Sequence, residues 1–308
     1  MAILHVKLCS FKAGGSLRVG GVVEEKIYDL NYCHTRMLAD EKKATSCYGI
    51  ATKEVPSEMV AFIEGGQHTL DLARGAIEYI RKKGIKEGPG GEKLVYDLNT
   101  TQLSTPIARP SIWCMGLVFK SHAEIGGLQV PKEPTFFHKP QGCLVGPEEM
   151  VIIPKAYPHM IVYGTELTLV FGKSGKNISE ERAYDYVYGY TVLNDVTARG
   201  IPVPQNKIMD TFAPVGPWIV PKDQISTPGK LALRFRVNGV ETQNGNTSEM
   251  LFNIPMHVRI LTSYCRIHPG DLLATGDIGA PGPLKPGDVM EAEVEEIGVL
   301  RNPTKLEE

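Results

Sequence analysis

The chain has 308 residues, with 33 Lys and Arg against 35 Asp and Glu, a formal net charge of −2 and 42% hydrophobic residues, the make-up of an ordinary globular protein. That balance gives no electrostatic reason to expect nucleic acid or an anionic membrane as a partner, and no segment approaches the roughly 20 apolar residues a bilayer span needs. Six cysteines (Cys9, Cys33, Cys47, Cys114, Cys143, Cys265) lie far apart with no C-x-x-C pair, and the first ten residues lack a signal-peptide layout, so the chain reads as a reduced, cytoplasmic protein.

The length favours two units. Residues 1–105 read as a small β-rich N-terminal domain, in which apolar runs at 2–8 and 17–23 and the pairs Gly14-Gly15 and Gly20-Gly21 suggest strands joined by turns. A helix follows, because Leu70, Ala73, Ala76, Ile77 and Ile80 fall on one face at spacings of three and four. Lys82 and Lys83 sit in its last turn, with Gly84 where a C-terminal cap belongs. Gly88-Pro89-Gly90-Gly91 reads as an exposed loop, and 105–110 as the linker into a larger domain, 106–308.

That second domain is strand-rich. Residues 162–171 read as a strand closed by Gly172-Lys173-Ser174-Gly175. The tetrapeptide looks like a phosphate loop, but Leu167 stands where the upstream glycine would be, so a hairpin turn is the better reading. Leu231, Leu233, Phe235 and Val237 alternate with polar or small residues up to Asn238-Gly239, a strong hairpin signal. Met290, Ala292 and Val294 alternate with glutamates, as in a strand with one wet face. The expected class is therefore α+β, β-rich.

Several segments carry side chains with chemistry. His122 follows a glycine-marked strand in a polar stretch, Gly116 to Glu124, where an acid–base group would sit. Lys139 lies in Phe136-Phe137-His138-Lys139-Pro140, Glu166 in Thr165-Glu166-Leu167, and Asp195 with Arg199 in Asn194-Asp195-Val196-Thr197-Ala198-Arg199. Lys207 precedes a run closed by Gly216-Pro217, and Thr275-Gly276-Asp277 forms a glycine turn. Two carboxylates, Glu166 and Asp195, can hold Mg²⁺ if waters and substrate oxygens complete an octahedron. They can equally pair with Arg199 or Lys207 in a solvated cluster. His138, His159 and His268 show no metal-ligand spacing and stay unassigned.

From about residue 110 to 302, these segments and their order resemble the fumarylacetoacetate hydrolase family. The resemblance implies a rolled, mixed β-sheet catalytic domain behind a small N-terminal domain, usually in a homodimer. It implies an enzyme using Mg²⁺ or Mn²⁺ on a small-molecule 2-oxo acid or β-dicarbonyl substrate. By motif match, His122 is the base, Lys139 and Lys207 stabilise an enolate, and Glu166 and Asp195 bind the metal. Arg199, Thr275, Gly276 and Asp277 fall at substrate-binding positions.

Four positions depart from the family pattern. Gly164 replaces the first glutamate of an E-x-E pair, Ile125 the glutamate that partners the histidine, Asp277 a threonine, and Gly200 the aspartate after Ala-Arg. Glu124 is one step early and would point about 100° away on a helix. Asp277 has three readings: a replacement for the carboxylate missing at Gly164, a sign that the bound substrate end is not anionic, or a turn cap. C–C bond hydrolysis, the commonest outcome in the family, is placed narrowly first. The alternatives are decarboxylation, isomerisation or dehydration without activated water, and a metal-free small-molecule-binding protein.

Overall fold

In the computed structural model, the described residues are 4–42, 46–127, 129–156, 160–279 and 282–308. The chain divides into two compact units, Met1–Ile107 and Ala108–Glu308.

In the first unit, strands Lys7–Ala13, Ser16–Val23, Lys26–Asp29 and Val95–Asp97 pair antiparallel in that order, and Leu103–Ser104 joins the other side of Lys7–Ala13. Residues 2 and 3 of the expected first strand lie outside the described residues. Gly14 and Gly15 make the first turn, both at positive φ (56° and 79°). Gly20 and Gly21, expected at a turn, sit inside Ser16–Val23 instead. A Cβ on Gly21 would lie 2.8 Å from both Leu30 and Ile77, so the bare backbone there is what lets two helices close on the sheet.

One of those helices is the expected one, Gly66–Lys83. It buries Leu70, Ala73, Ala76, Ile77 and Ile80 and ends at left-handed Gly84. The Ile85 amide donates to the Ile80 carbonyl (3.2 Å), completing a Schellman cap. Three further helices, Leu30–Lys42, Cys47–Glu54 and Met59–Glu64, stand outside what the sequence reading anticipated.

The second unit holds two large sheets packed face to face and one two-stranded ribbon. One runs in the order Ala213–Pro221, Val187–Asn194, Thr165–Phe171, Leu272–Ala274, Ile112–Gly116, Thr135–Lys139; only the Leu272–Ala274/Ile112–Gly116 pair in that run is parallel. The other runs Val240–Asn246, Ala232–Val237, Val289–Val294, Gly298–Leu306, Val151–Ile153. Leu167, Leu169, Phe171, Val192, Leu233, Phe235, Met290, Ala292 and Val294 belong to one buried cluster. Every residue of Thr165–Phe171 and Val187–Asn194 is buried, as expected of strands covered on both faces.

The Asn238-Gly239 hairpin forms with both residues at positive φ (54° and 79°), a type I′ turn. The expected strand 162–171 is broken. Ile161–Val162 pairs with Thr197–Ala198, and a new strand starts at Thr165. Nor do Gly172–Gly175 form a tight hairpin. They open a longer connection, 172–186, whose Gly175 amide bonds the Ile267 carbonyl (3.1 Å) in place of an immediate return.

Candidate active site

The chemistry converges where Thr165–Phe171 and Val187–Asn194 end and the turn after Leu272–Ala274 crosses them. Glu166 is the second residue of its strand and is buried. Its Oε2 accepts from the Gly276 amide (2.7 Å), while Oε1 has no hydrogen-bond partner. Burial, with Asp195 and Asp277 nearby, pushes its carboxyl well above the usual range.

Asp195 directly follows its strand, its amide bonded to the Gly164 carbonyl (2.9 Å). Its carboxylate lies between two ammonium groups, with Lys139 Nζ 2.8 Å from Oδ1 and Lys207 Nζ bonded to Oδ2. Burial opposes its charge, but the two lysines outweigh that and hold the carboxyl below its ordinary value. Lys207 is the mirror case. Burial works against its charge, and Asp195 and Asp277 more than restore it. The Lys207 ammonium also donates to Thr197 Oγ1 (2.7 Å) and lies 5.0 Å from the centre of the Phe137 ring.

Lys139 is fully buried, and its N–H groups point to three carbonyls, Val196 (3.1 Å), Lys207 (2.8 Å) and Phe212 (2.8 Å). With those donors committed, its approach to Asp195 is a charge contact without an aimed hydrogen bond. Lys139 therefore braces the floor of the site.

In the crossing turn, the Thr275 hydroxyl donates to the Leu167 carbonyl (2.9 Å), which pins the turn to the strand. Gly276, at φ 91°, aims its amide at Glu166. Asp277 Oδ1 accepts from the Gly279 amide (2.6 Å). The turn-cap reading of Asp277 thus has a bond behind it, but Oδ2 is turned elsewhere.

His122, on the helix Lys120–Gly126, places Nδ1 3.2 Å from the Asp277 carbonyl and 3.4 Å from its Oδ2. Both oxygens only accept, so Nδ1 carries the proton and Nε2 is left with its lone pair free. Glu124 is exposed and pairs with Lys120 (3.2 Å). Arg199 is half-buried, its amide on the Met160 carbonyl (2.8 Å). Gly200 has φ 84°, a conformation an aspartate there would adopt only under strain.

His122, Glu166, Asp195, Lys207, Gly276 and Asp277 are thus brought together, with Lys139 and Thr275 bracing them. Thr197 was missed by sequence reasoning, and its signal was its place two residues after Asp195. His138 packs against Trp113 (4.8 Å between rings) and His268 against Ser174 (3.2 Å); His159 lies outside the described residues. A cleft of about 760 Å³ in the first unit is lined by charges such as Lys26 and Asp97, which pair with each other (2.8 Å).

Glu166, Asp195 and Asp277 each offer an oxygen, all within 4.8 Å of one another and all buried. Such a cluster of hard oxygens fits a divalent cation. The unpartnered Glu166 Oε1 is the atom that most needs one.

This combination of two large β-sheets, a buried carboxylate trio and an adjacent histidine defines a β-rich α+β protein with a candidate oxygen-ligand metal site. Residues 111–305 match the family described as fumarylacetoacetate (FAA) hydrolase C-terminal. The chain is 35% identical over 264 residues to "Oxaloacetate tautomerase fahd2, mitochondrial" of Xenopus laevis, covering 81% of this chain and 79% of that one. It is 32% identical to "Oxaloacetate tautomerase YisK" of Bacillus subtilis (strain 168), covering 92% and 95%. Among solved structures, maleylpyruvate hydrolase from Sphingobium sp. SYK-6 in complex with manganese(II) ion and pyruvate superposes with a TM-score of 0.73 at 26% identity, covering 98% of this chain and all of that one. The chain belongs to the fumarylacetoacetate hydrolase family of enzymes.

Proposed function

We propose that this enzyme moves a proton on a small 2-oxo acid, interconverting its keto and enol forms with the help of Mg²⁺ or Mn²⁺. The observation that carries the reading is the setting of His122. Its carboxylate neighbour is Asp277, across the site, while Glu124, the one acid on its own helix, is exposed and paired with Lys120. A base so placed is suited to proton transfer and lacks the second carboxylate that would help activate water. The relatives called oxaloacetate tautomerases support the same ranking.

Glu166 and Asp195 would hold the cation, whose contribution when bound is to polarise the substrate's oxo group. His122 Nε2 would take the proton from the carbon beside that group, and delivery of that proton to the oxo oxygen gives the enol, the reverse transfer restoring the keto form. Lys207, whose ammonium donates to Asp195 and Thr197, would use its remaining N–H to stabilise the oxygen on which charge grows. Lys139 keeps Asp195 in place, so its part is positioning. Arg199 and the 275–277 turn border the substrate.

C–C hydrolysis, placed first from the sequence, stands second here; its support is the similarity to maleylpyruvate hydrolase. A cytoplasmic homodimer completes the reading, and six free cysteines, five of them buried, suit a reducing compartment. Among the described residues no helix is long and apolar enough to cross a membrane.

The test is exchange of the C3 hydrogens of 2-oxo acids into D₂O, followed by NMR with and without Mn²⁺. Metal-stimulated exchange without bond cleavage is expected. Cleavage products appearing as fast as exchange would put hydrolysis first, and neither activity would end the proposal.

A further inference from the structure

We infer that Asp277 is the third metal ligand and that positions 164 and 277 have exchanged this task. The inference rests on the metal-dependent reading above and deepens it. A Cβ built on Gly164 would lie 2.5 Å from Asp277 Cβ and 2.7 Å from its Oδ2, closer than side-chain contacts allow. The nearest atoms around that position all belong to Asp277, so its carboxylate fills the room that a side chain on residue 164 would need.

Gly164 is not free to give way. Its amide donates to Asn194 Oδ1 (3.2 Å), its carbonyl accepts from the Asp195 amide (2.9 Å), and the next amide, Thr165, donates to Gln243 Oε1 (3.1 Å). The same short segment thus positions Asp195, is followed by Glu166 and is overlaid by Asp277. A third carboxylate reaches the cluster from the turn because position 164, just before the strand, carries no side chain.

The charges give the reason such an arrangement persists. Glu166, Asp195 and Asp277 are all buried. Asp195 has two lysines and Asp277 has the Gly279 amide and His122, but the buried Glu166 Oε1 has no donor. Buried like charges this close repel one another unless a cation sits among them. A divalent ion taking one oxygen from each of the three residues removes that conflict and leaves further coordination positions for water or a chelating oxo acid.

The test is calorimetric titration of Mn²⁺ into chelator-stripped protein. Asp277→Ala and the isosteric Asp277→Asn, which keeps the turn cap, are each expected to weaken Mn²⁺ binding at least about tenfold. Gly164→Ala removes no ligand, yet it is expected to weaken binding as well by displacing Asp277. The double variant Gly164→Glu/Asp277→Gly, which returns the carboxylate to the strand, is expected to regain affinity over Asp277→Ala. Wild-type protein that binds while both Asp277 variants bind equally tightly overturns the exchange alone. Wild-type protein that binds no Mn²⁺ overturns the metal-dependent reading with it.

Discussion

His122 Nδ1 lies 3.2 Å from the carbonyl oxygen of Asp277, a residue 155 positions further along the chain, and 3.4 Å from its carboxylate. One residue thereby fixes the histidine's tautomer and borders the carboxylate cluster. His122→Gln is expected to lower the proton-exchange rate about 10²–10⁴-fold while still binding Mn²⁺. A variant retaining most of its activity would remove His122 as the base.

Glu124 provides the converse. Exposed and held by Lys120, it takes no part in the site. Glu124→Ala is expected to change the exchange rate less than about twofold, as surface ion pairs contribute little. A large loss would mean that the helix turns Glu124 inward during catalysis and that a His–Glu pair activates water after all.

Lys139 braces three carbonyls and Asp195 from a fully buried position. Lys139→Met removes the ammonium donor from all three carbonyls and takes away one of Asp195's two compensating charges. The expected cost is about 3 kcal/mol or more of folding stability, read as a lower denaturant midpoint. A variant as stable as wild type but inactive would show that Lys139 acts on substrate directly.

The turn amides of Gly276 and Gly279 are already taken by Glu166 (2.7 Å) and Asp277 (2.6 Å). A second substrate carboxylate would find neither of those two amides free, a loss of about 1.5–3 kcal/mol for a charge-assisted bond. A 2-oxo acid with a neutral end is therefore expected to be exchanged about tenfold or more faster, in kcat/KM, than oxaloacetate. Preference for oxaloacetate would show that another group receives that carboxylate.

His257, fully buried on Ile254–Tyr264, has neither ring nitrogen hydrogen-bonded, and burial lowers its pKa to about 3. The unfolded chain would protonate this side chain near 6.5, so between those values it is the unfolded state that gains the proton. Its contribution is present above about pH 6.5 and is lost as pH falls, by about 1.4 kcal/mol per unit. His257→Leu should flatten that part of the stability–pH curve. An unchanged slope would mean that the ring finds a partner for its charge.

How much of this could be read beforehand follows from what each feature depends on. The helix Gly66–Lys83 and the Asn238-Gly239 hairpin are local patterns, periodic apolar residues closed by glycine, and both form. The helix Leu30–Lys42 hides its pattern because it buries Asn31, His34 and Thr35, polar residues hydrogen-bonded to Val55, Glu54 and Asn31 respectively. In the site, Glu166, Asp195 and His122 stand in segments whose convergence was suggested only by family resemblance. That Asp277 fills the room above Gly164 is a matter of space between residues 113 positions apart, which no local pattern records.

The most direct measurement is titration of Mn²⁺ into chelator-stripped protein, alone and with oxalate, a bidentate mimic of the enolate. Binding to the carboxylate cluster that oxalate strengthens is the expected result. No binding under either condition would contradict a metal-dependent oxo-acid enzyme and leave a buried acidic cluster without a cation.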